Sequence, residues 1–458
     1  MSHAGALEGL KLRVLRASGW SVLGQIGSQA VRFAGSLIMT RLLVPELFGV
    51  MSLAMMFVVA LGMFSDLGLG QIVVRHRSGD DKAMLNTVWT TQVLRGLLIA
   101  LAGALIALAL LVLRNMGVLP HGSAYAHPDL PTALFVNSLA SIVGGFESTK
   151  TLTAMRSLSL RNIAIMEFSS QIVGLGATVV WALVSPTIFA VTGGAVASVL
   201  TRTALSHTLF DGVNNRFHWS KEHFREIIGF GRWVFLSSIL GFLISNGDRM
   251  LLGAFLDARR FGIYSVAALI VGAVFDLCGR LITSVVYPAL NETYRKEPSK
   301  LKATYYRLRT PVEAVCCIAA GIMIVAGPQM IEFLYDNRYA EAGVAIQIMS
   351  IPMIFVGLNS SENIYMVLGK PWLLTILNGV RLVALYATVP YLAYHYGLIG
   401  GAVGVVASHV AKVPAIYYMK IKYGYLSLKR ELLIFPFLMF GFLLGYGFTV
   451  LLTILSRH

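Results

Sequence analysis

Arg32, Arg95, Arg249, Arg280 and Arg381 each stand inside a long apolar run, in contexts such as GQIGSQAVRFAGSL around Arg32 and ILNGVRLVALYA around Arg381. A guanidinium stays charged at every relevant pH and presents its donors as a planar fork. A group of them in a protein interior therefore suits a phosphate or pyrophosphate ligand. In hydrocarbon such a charge is costly unless it meets an acid, a backbone carbonyl or water. Arg32 lies far from both ends of its run, so its expected partner is inside the protein: a ligand phosphate, or Asp66, Glu147 or Glu167. Arg95 is nearer one end and has the alternative of reaching the membrane surface. Asp248 and Arg249 are adjacent and must face different neighbours, whereas Asp276 and Arg280 are spaced i,i+4 and are expected to pair as a structural couple. Arg202 and Lys412 are placed to reach headgroups. Asp66, Asp248, Asp276, Glu147 and Glu167 are expected in structural or coupling roles, and Glu362 is a further counterweight. The interior cations modestly exceed these acids, which favours an anionic ligand over a cationic one.

Other chemistry finds little support. The chain has no Walker A run, no HExxH, and no His/Cys cluster; His207, His218 and His223 lack ligand spacing. No metal, cofactor or ATP hydrolysis is expected. Movement of a substrate would draw on a coupling ion, H+ or Na+, or on the substrate's own gradient. Cys278, Cys316 and Cys317 give no disulfide framework and read as small buried side chains.

The elements that must position these groups are apolar segments at approximately 18–40, 48–72, 87–113, 131–149, 163–184, 187–209, 229–256, 262–287, 310–334, 342–367, 373–394, 398–419 and 432–455. At about 1.5 Å per residue most are long enough to cross a hydrocarbon core of roughly 30 Å. The 458-residue composition agrees: 56% hydrophobic and 13% charged is far from the roughly 25% charge of soluble domains. The net charge of +15 is spread over short loops, a pattern of membrane orientation and lipid attraction, and no nucleic-acid partner is expected. Basic residues at Lys11, Arg13 and Arg16, then in the loops near 75–82, 150–161, 216–225, 288–309 and 420–430, put the N-terminus in the cytoplasm. No loop is long enough for a catalytic domain, which favours a carrier over an enzyme.

The chain also repeats. FGVMSLAMMFVVALGMF from Phe48 aligns without gaps on FGIYSVAALIVGAVFDL from Phe261, and Trp20 and Trp233 share that offset. Six segments separate the two tryptophans, so the halves have the same orientation. The expected fold is an all-α polytopic membrane protein: two pseudo-symmetric six-helix lobes around a central cavity, plus one extra C-terminal segment. The expected divisions are a tail at 1–16, an N-lobe at 17–210, a linker at 211–228, a C-lobe at 229–420 and the extra helix and tail at 421–458.

The runs TRLLVPELFGVMSLAMMF, FSDLGLGQIVVRH, MRSLSLRNIAIMEFSSQIVG and NGDRMLLGAFLDARRFGIYSVA, within Arg16 to Tyr425, resemble the polysaccharide transporter family. These are the Wzx-like lipid-linked oligosaccharide flippases of the multidrug/oligosaccharidyl-lipid/polysaccharide exporter superfamily. The resemblance implies a bacterial inner-membrane flippase that moves an undecaprenyl-pyrophosphate-linked repeat unit from the cytoplasmic to the periplasmic leaflet by alternating access. The product would be O-antigen, capsule or exopolysaccharide, and the partners membrane lipids and the polysaccharide polymerase and export machinery. It also implies that cavity arginines hold the pyrophosphate, with Arg32 and Arg249 first and Arg280, Arg381 and Arg95 behind them. The rival readings are a cation-coupled multidrug exporter of the same superfamily, which calls for unpaired interior acid, and a non-transporting scaffold of polymer assembly.

Overall fold

The computed structural model describes residues 24, 27–76, 79–120, 122–157 and 159–455. The tail at 1–16 and Trp20 lie outside them. Among the described residues every regular element is helical. The first described helix, α1, covers 27–42. It is followed by α2 (Pro45–Phe64), α3 (Leu69–Arg75), α4 (Lys82–Asn115), α5 (Leu130–Gly145), α6 (Lys150–Arg156), α7 (Leu160–Val184), α8 (Ile188–Thr208), α9 (Lys221–Phe255) and α10 (Ala258–Leu281). After α10 come α11 (Tyr287–Lys296), α12 (Leu301–Leu334), α13 (Glu341–Met349), α14 (Val356–Asn359), α15 (Glu362–Val367), α16 (Trp372–Ala411), α17 (Val413–Lys422), α18 (Leu428–Glu431) and α19 (Ile434–Leu455).

Among the described residues, ten helical stretches are long and apolar enough to cross a membrane, or eleven if α5 and α6, bent by 69°, form one broken span. The stretch Trp372–Lys422 is interrupted at Gly397 (φ 59°, ψ −134°), where the sequence also separates two segments. The chain is thus a multi-pass membrane protein.

Helix α4 illustrates how these segments pack. Leu98, Leu101, Leu105 and Leu108 run along one side and are all more than half exposed, the expected dress of a lipid-facing stripe. Gly96, Ala100, Gly103 and Ala107 form the opposite, buried side. A Cβ on Gly103 would collide with Ser138 of α5, so the missing side chain is what lets the backbones approach. In lipid, where burying leucine against leucine gains little, such small-residue faces draw helices together. The same device joins α12 to α19, where a Cβ on Gly321 would lie 2.7 Å from the carbonyl carbon of Gly441. Helix α19 is one unbroken helix; Gly441 and Gly445 serve its packing on α12 and do not bend it.

The chain divides into two compact units. One contains residues up to 43, then 50–121 and 125–243; the other contains 44–49, 122–124 and 244–458. The division falls inside α9. In the second unit the repeat becomes a contact: Gly49 and Gly262, equivalent positions of the two repeated runs, meet backbone to backbone. A Cβ on Gly262 would strike the carbonyl oxygen of Pro45 and lie 3.0 Å from the Gly49 nitrogen.

Three expectations need correction. The stretch 288–309, read as a loop, is helical: it holds α11 and the first two turns of α12. The polar pattern that suggests a loop there belongs to helix surface outside the apolar span. All three cysteines are buried as expected and Cys317 is free, but Cys278 and Cys316 form a disulfide, because α10 and α12 bring together two cysteines with no spacing signature. Asp276 and Arg280 are both exposed, where an i,i+4 pair is worth only about 0.3–0.5 kcal/mol, and no salt bridge joins the two among the described residues.

Candidate functional sites: two interior polar clusters

The first unit holds a polar cavity of about 280 Å³ whose lining includes Asp66, Gln92, Arg95, Glu147, Thr151 and Arg202. Two helix breaks create it. Between α2 and α3 the chain turns through Gly68 (φ 64°), and the Asp66 carboxylate accepts the Gly68 N–H at 2.9 Å. A side chain at Gly68 would be strained by its left-handed backbone. Arg95 closes the end of α2, donating to Gly62 O at 2.6 Å and to Ser65 Oγ at 3.0 Å. A cation on the unsatisfied carbonyls of a helix C-terminus is favourable for both partners. At the second break, between α5 and α6, Gln92 donates to the carbonyls of Gly145 (3.2 Å) and Glu147 (3.0 Å). The Glu147 carboxylate takes Arg202 Nε at 3.0 Å, and Glu167 also acts on Arg202 electrostatically.

Arg202 is therefore a structural ion-pair partner instead of a headgroup contact, and Glu147 belongs to Arg202 and not to Arg32. Arg32 is exposed and donates to Gln29 Oε1 at 2.7 Å.

The second unit holds the other cluster. Tyr264 donates its hydroxyl to Asp248 Oδ2 at 2.5 Å, and Asp248 also acts on Arg381 and Tyr386. Arg249, next in sequence and half-buried, has neither a hydrogen bond nor an ion pair among the described residues. Arg381 has a buried Nε without a hydrogen-bond partner, as do the Tyr386 hydroxyl and His409 Nδ1. Lys412 pairs with Glu362 at 3.0 Å; the expected headgroup contact is again replaced by an interior acid. Lys412 is thus spent on Glu362, while Arg249 and the Arg381 Nε have donors to spare. Such a set can accept a compact anion. Among the described residues no group of His, Cys, Asp and Glu could hold a metal ion.

A third set escaped the sequence reading. Arg309, Glu313, Lys420 and Glu431 form a buried network in the second unit. Arg309 donates Nη1 and Nη2 to the two oxygens of Glu431, each at 2.8 Å, and Nε to Glu313 at 3.2 Å. Lys420 also donates to Glu431, and Tyr306 gives it a 2.6 Å hydrogen bond. The acids and bases balance, so this network is a fastening and not a ligand site. The sequence places Arg309 and Lys420 in the basic stretches 288–309 and 420–430, with no sign of a buried partner.

These features define a class: a multi-helical membrane protein with interior charge at helix breaks. Its fold is that of the multidrug/oligosaccharidyl-lipid/polysaccharide exporter superfamily. The solved structure of lipid II flippase MurJ in an inward closed conformation matches with a TM-score of 0.73 at 12% identity, over 95% of this chain and 96% of that one. An inward-facing multidrug resistance MATE transporter matches with a TM-score of 0.60 at 15% identity, over 86% and 94%.

The chain belongs to the family described as polysaccharide biosynthesis protein, which matches residues 38–344. It is 20% identical over 348 residues to the lipopolysaccharide biosynthesis protein WzxC of Escherichia coli (strain K12), covering 75% of this chain and 67% of that protein. It is 22% identical over 340 residues to the succinoglycan biosynthesis transport protein ExoT of Rhizobium meliloti (strain 1021), covering 74% and 66%. The match thus spans about two thirds of the length of each of these relatives. The chain is a Wzx-like member of the superfamily.

Proposed function

We propose that this chain carries a polyprenyl-pyrophosphate-linked oligosaccharide, an undecaprenyl-pyrophosphate repeat unit in the bacterial inner membrane, from the cytoplasmic to the periplasmic leaflet by alternating access. The observation that carries this reading is the second unit's cluster, where Arg249 lacks a partner and the buried Arg381 Nε is unsatisfied. Guanidinium donors left free inside a bundle offer a pyrophosphate what it loses on leaving water. Arg249 and Arg381 are accordingly the proposed headgroup contacts. Arg32 and Arg280, both exposed, come second as contacts on the substrate's path. Arg95, committed to the end of α2, has a positioning role.

The cation-exporter alternative asks for unpaired interior acid. Here Glu147 is engaged by Arg202 and Glu362 by Lys412. Coupling to H+ or Na+ remains part of the proposal, with Asp248 and Asp66 the acids best placed to sense it. The N-terminus is taken as cytoplasmic from the basic loops, and the polymerase and export machinery of a polysaccharide pathway are the proposed partners.

The test is translocation of a fluorescent pyrophosphate-linked oligosaccharide in liposomes reconstituted with the full chain. The double variant Arg249→Ala, Arg381→Ala should lose at least tenfold in rate, since each charge-assisted contact is worth about 1.5–3 kcal/mol. An unchanged rate would remove both residues from the site.

A further inference from the structure

A basic pocket lies beside the Arg309 network and shares Tyr306 with it. It occupies about 470 Å³ between the start of α12 and α18, and its lining includes Lys300, Thr304, Arg307, Thr310, Arg430 and Leu433. Its three cations differ in their commitments. Lys300 is paired with Glu297. Arg307 and Arg430 are exposed and have no ion-pair partner among the described residues; Arg430 rests its guanidinium over the Tyr306 ring, 5.4 Å from the centroid. The nearby acids cannot quench them, because Glu313 and Glu431 point inward and are taken by Arg309 and Lys420.

The surroundings give the depth of this pocket. Along α12 the exposed positions pass at i,i+4 spacing from Arg307 to Pro311 to Val315, so charge gives way to apolar surface within about 12 Å of rise. Beside Arg430, Leu428, Leu432 and Phe435 are all more than half exposed. Free guanidiniums bordering bare leucine and phenylalanine match the layer where acyl chains meet headgroups.

The geometry points to a binding site for the phosphate of an anionic membrane lipid, held by Arg307 and Arg430 with the hydroxyls of Thr304 and Thr310 beside them and the acyl chains along Leu432 and Phe435. This site is separate from the proposed cargo cluster and rests only on the chain's lying in a membrane.

Mass spectrometry of the intact full chain with bound lipid, released from nanodiscs of mixed phosphatidylglycerol and phosphatidylcholine, tests it. The wild-type chain should retain phosphatidylglycerol preferentially. Arg307→Ala with Arg430→Ala should cut that retention about 30-fold, two surface cations at about 1 kcal/mol each. The control pair Arg295→Ala, Lys296→Ala on α11, which removes the same charge elsewhere on the basic surface, should keep it. Equal retention of the two lipids, or equal losses in both double variants, would overturn the site. Displacement of the lipid by excess inorganic phosphate, with no dependence on acyl chains, would overturn the lipid as its occupant. Translocation of the oligosaccharide is not read in this experiment, so its result and that of the proposed function can fail separately.

Discussion

Replacing Glu431 by Gln removes one negative charge from the buried network without changing its shape. Arg309 is fully buried and Lys420 equally so, and both lean on Glu431. With Gln in place, two buried cations share only Glu313, and the amide NH2 faces a guanidinium donor that had its own 2.8 Å acceptor. Breaking a buried pair from one side typically costs about 3–5 kcal/mol, because the stranded charge has no water to return to. Within a unit of this size, that corresponds to a fall in Tm on the order of 10 °C. The loss should be felt at the C-terminal end, since Glu431 leads directly into α19 and its contact along α12. Intrinsic fluorescence during a thermal ramp, on detergent-purified chain, would measure it. Adding Lys420→Met restores the charge balance, so the double variant Glu431→Gln, Lys420→Met should recover much of the difference. A Tm for the single variant within about 2 °C of wild type would refute the claim that this network fastens the C-terminal helix. So would a double variant no better than the single one.

Two further outcomes follow from packing and exposure. Gly262→Ala should cost about 1–3 kcal/mol or prevent assembly, because its new methyl meets the Pro45 carbonyl instead of a side chain that could move; Gly272→Ala, on the same helix with open space around it, should behave as wild type, and size-exclusion profiles would separate the two. Asp276→Asn should leave the Tm unchanged within the roughly 0.5 kcal/mol expected of surface changes, since Asp276 is exposed; a large loss would mean that a partner holds it.

The parts of the fold legible in the sequence are those set by one-dimensional pattern. Apolar length marked the spans because a backbone in lipid must satisfy its own hydrogen bonds along each segment. The Phe48 and Phe261 runs announced the repeat, and the structure adds that their glycines, Gly49 and Gly262, touch. The presence of interior charge was equally plain. Its pairing was not. Arg202 and Glu147 are 55 residues apart and Lys412 and Glu362 are 50 apart, while Arg309 and Glu431 are separated by 122. Each side chain looked free to reach a headgroup or a loop until the bundle brought an acid to it. The one pair that spacing did suggest, Asp276 with Arg280, is not joined by a salt bridge among the described residues; both side chains are exposed.

Hydropathy and the aligned runs by themselves thus determined a polytopic helical membrane protein with an internal repeat and charge inside its apolar segments. Tertiary structure alone decided which cations are spent and which are left: Arg202, Lys412 and Arg309 on carboxylates, Arg95 on a helix end, Arg249 and Arg381 with donors to offer. The reason is physical. Hydrophobic length is a local property of the chain, whereas the fate of a charge depends on what lies within about 4 Å of it, and those neighbours come from helices far away in sequence.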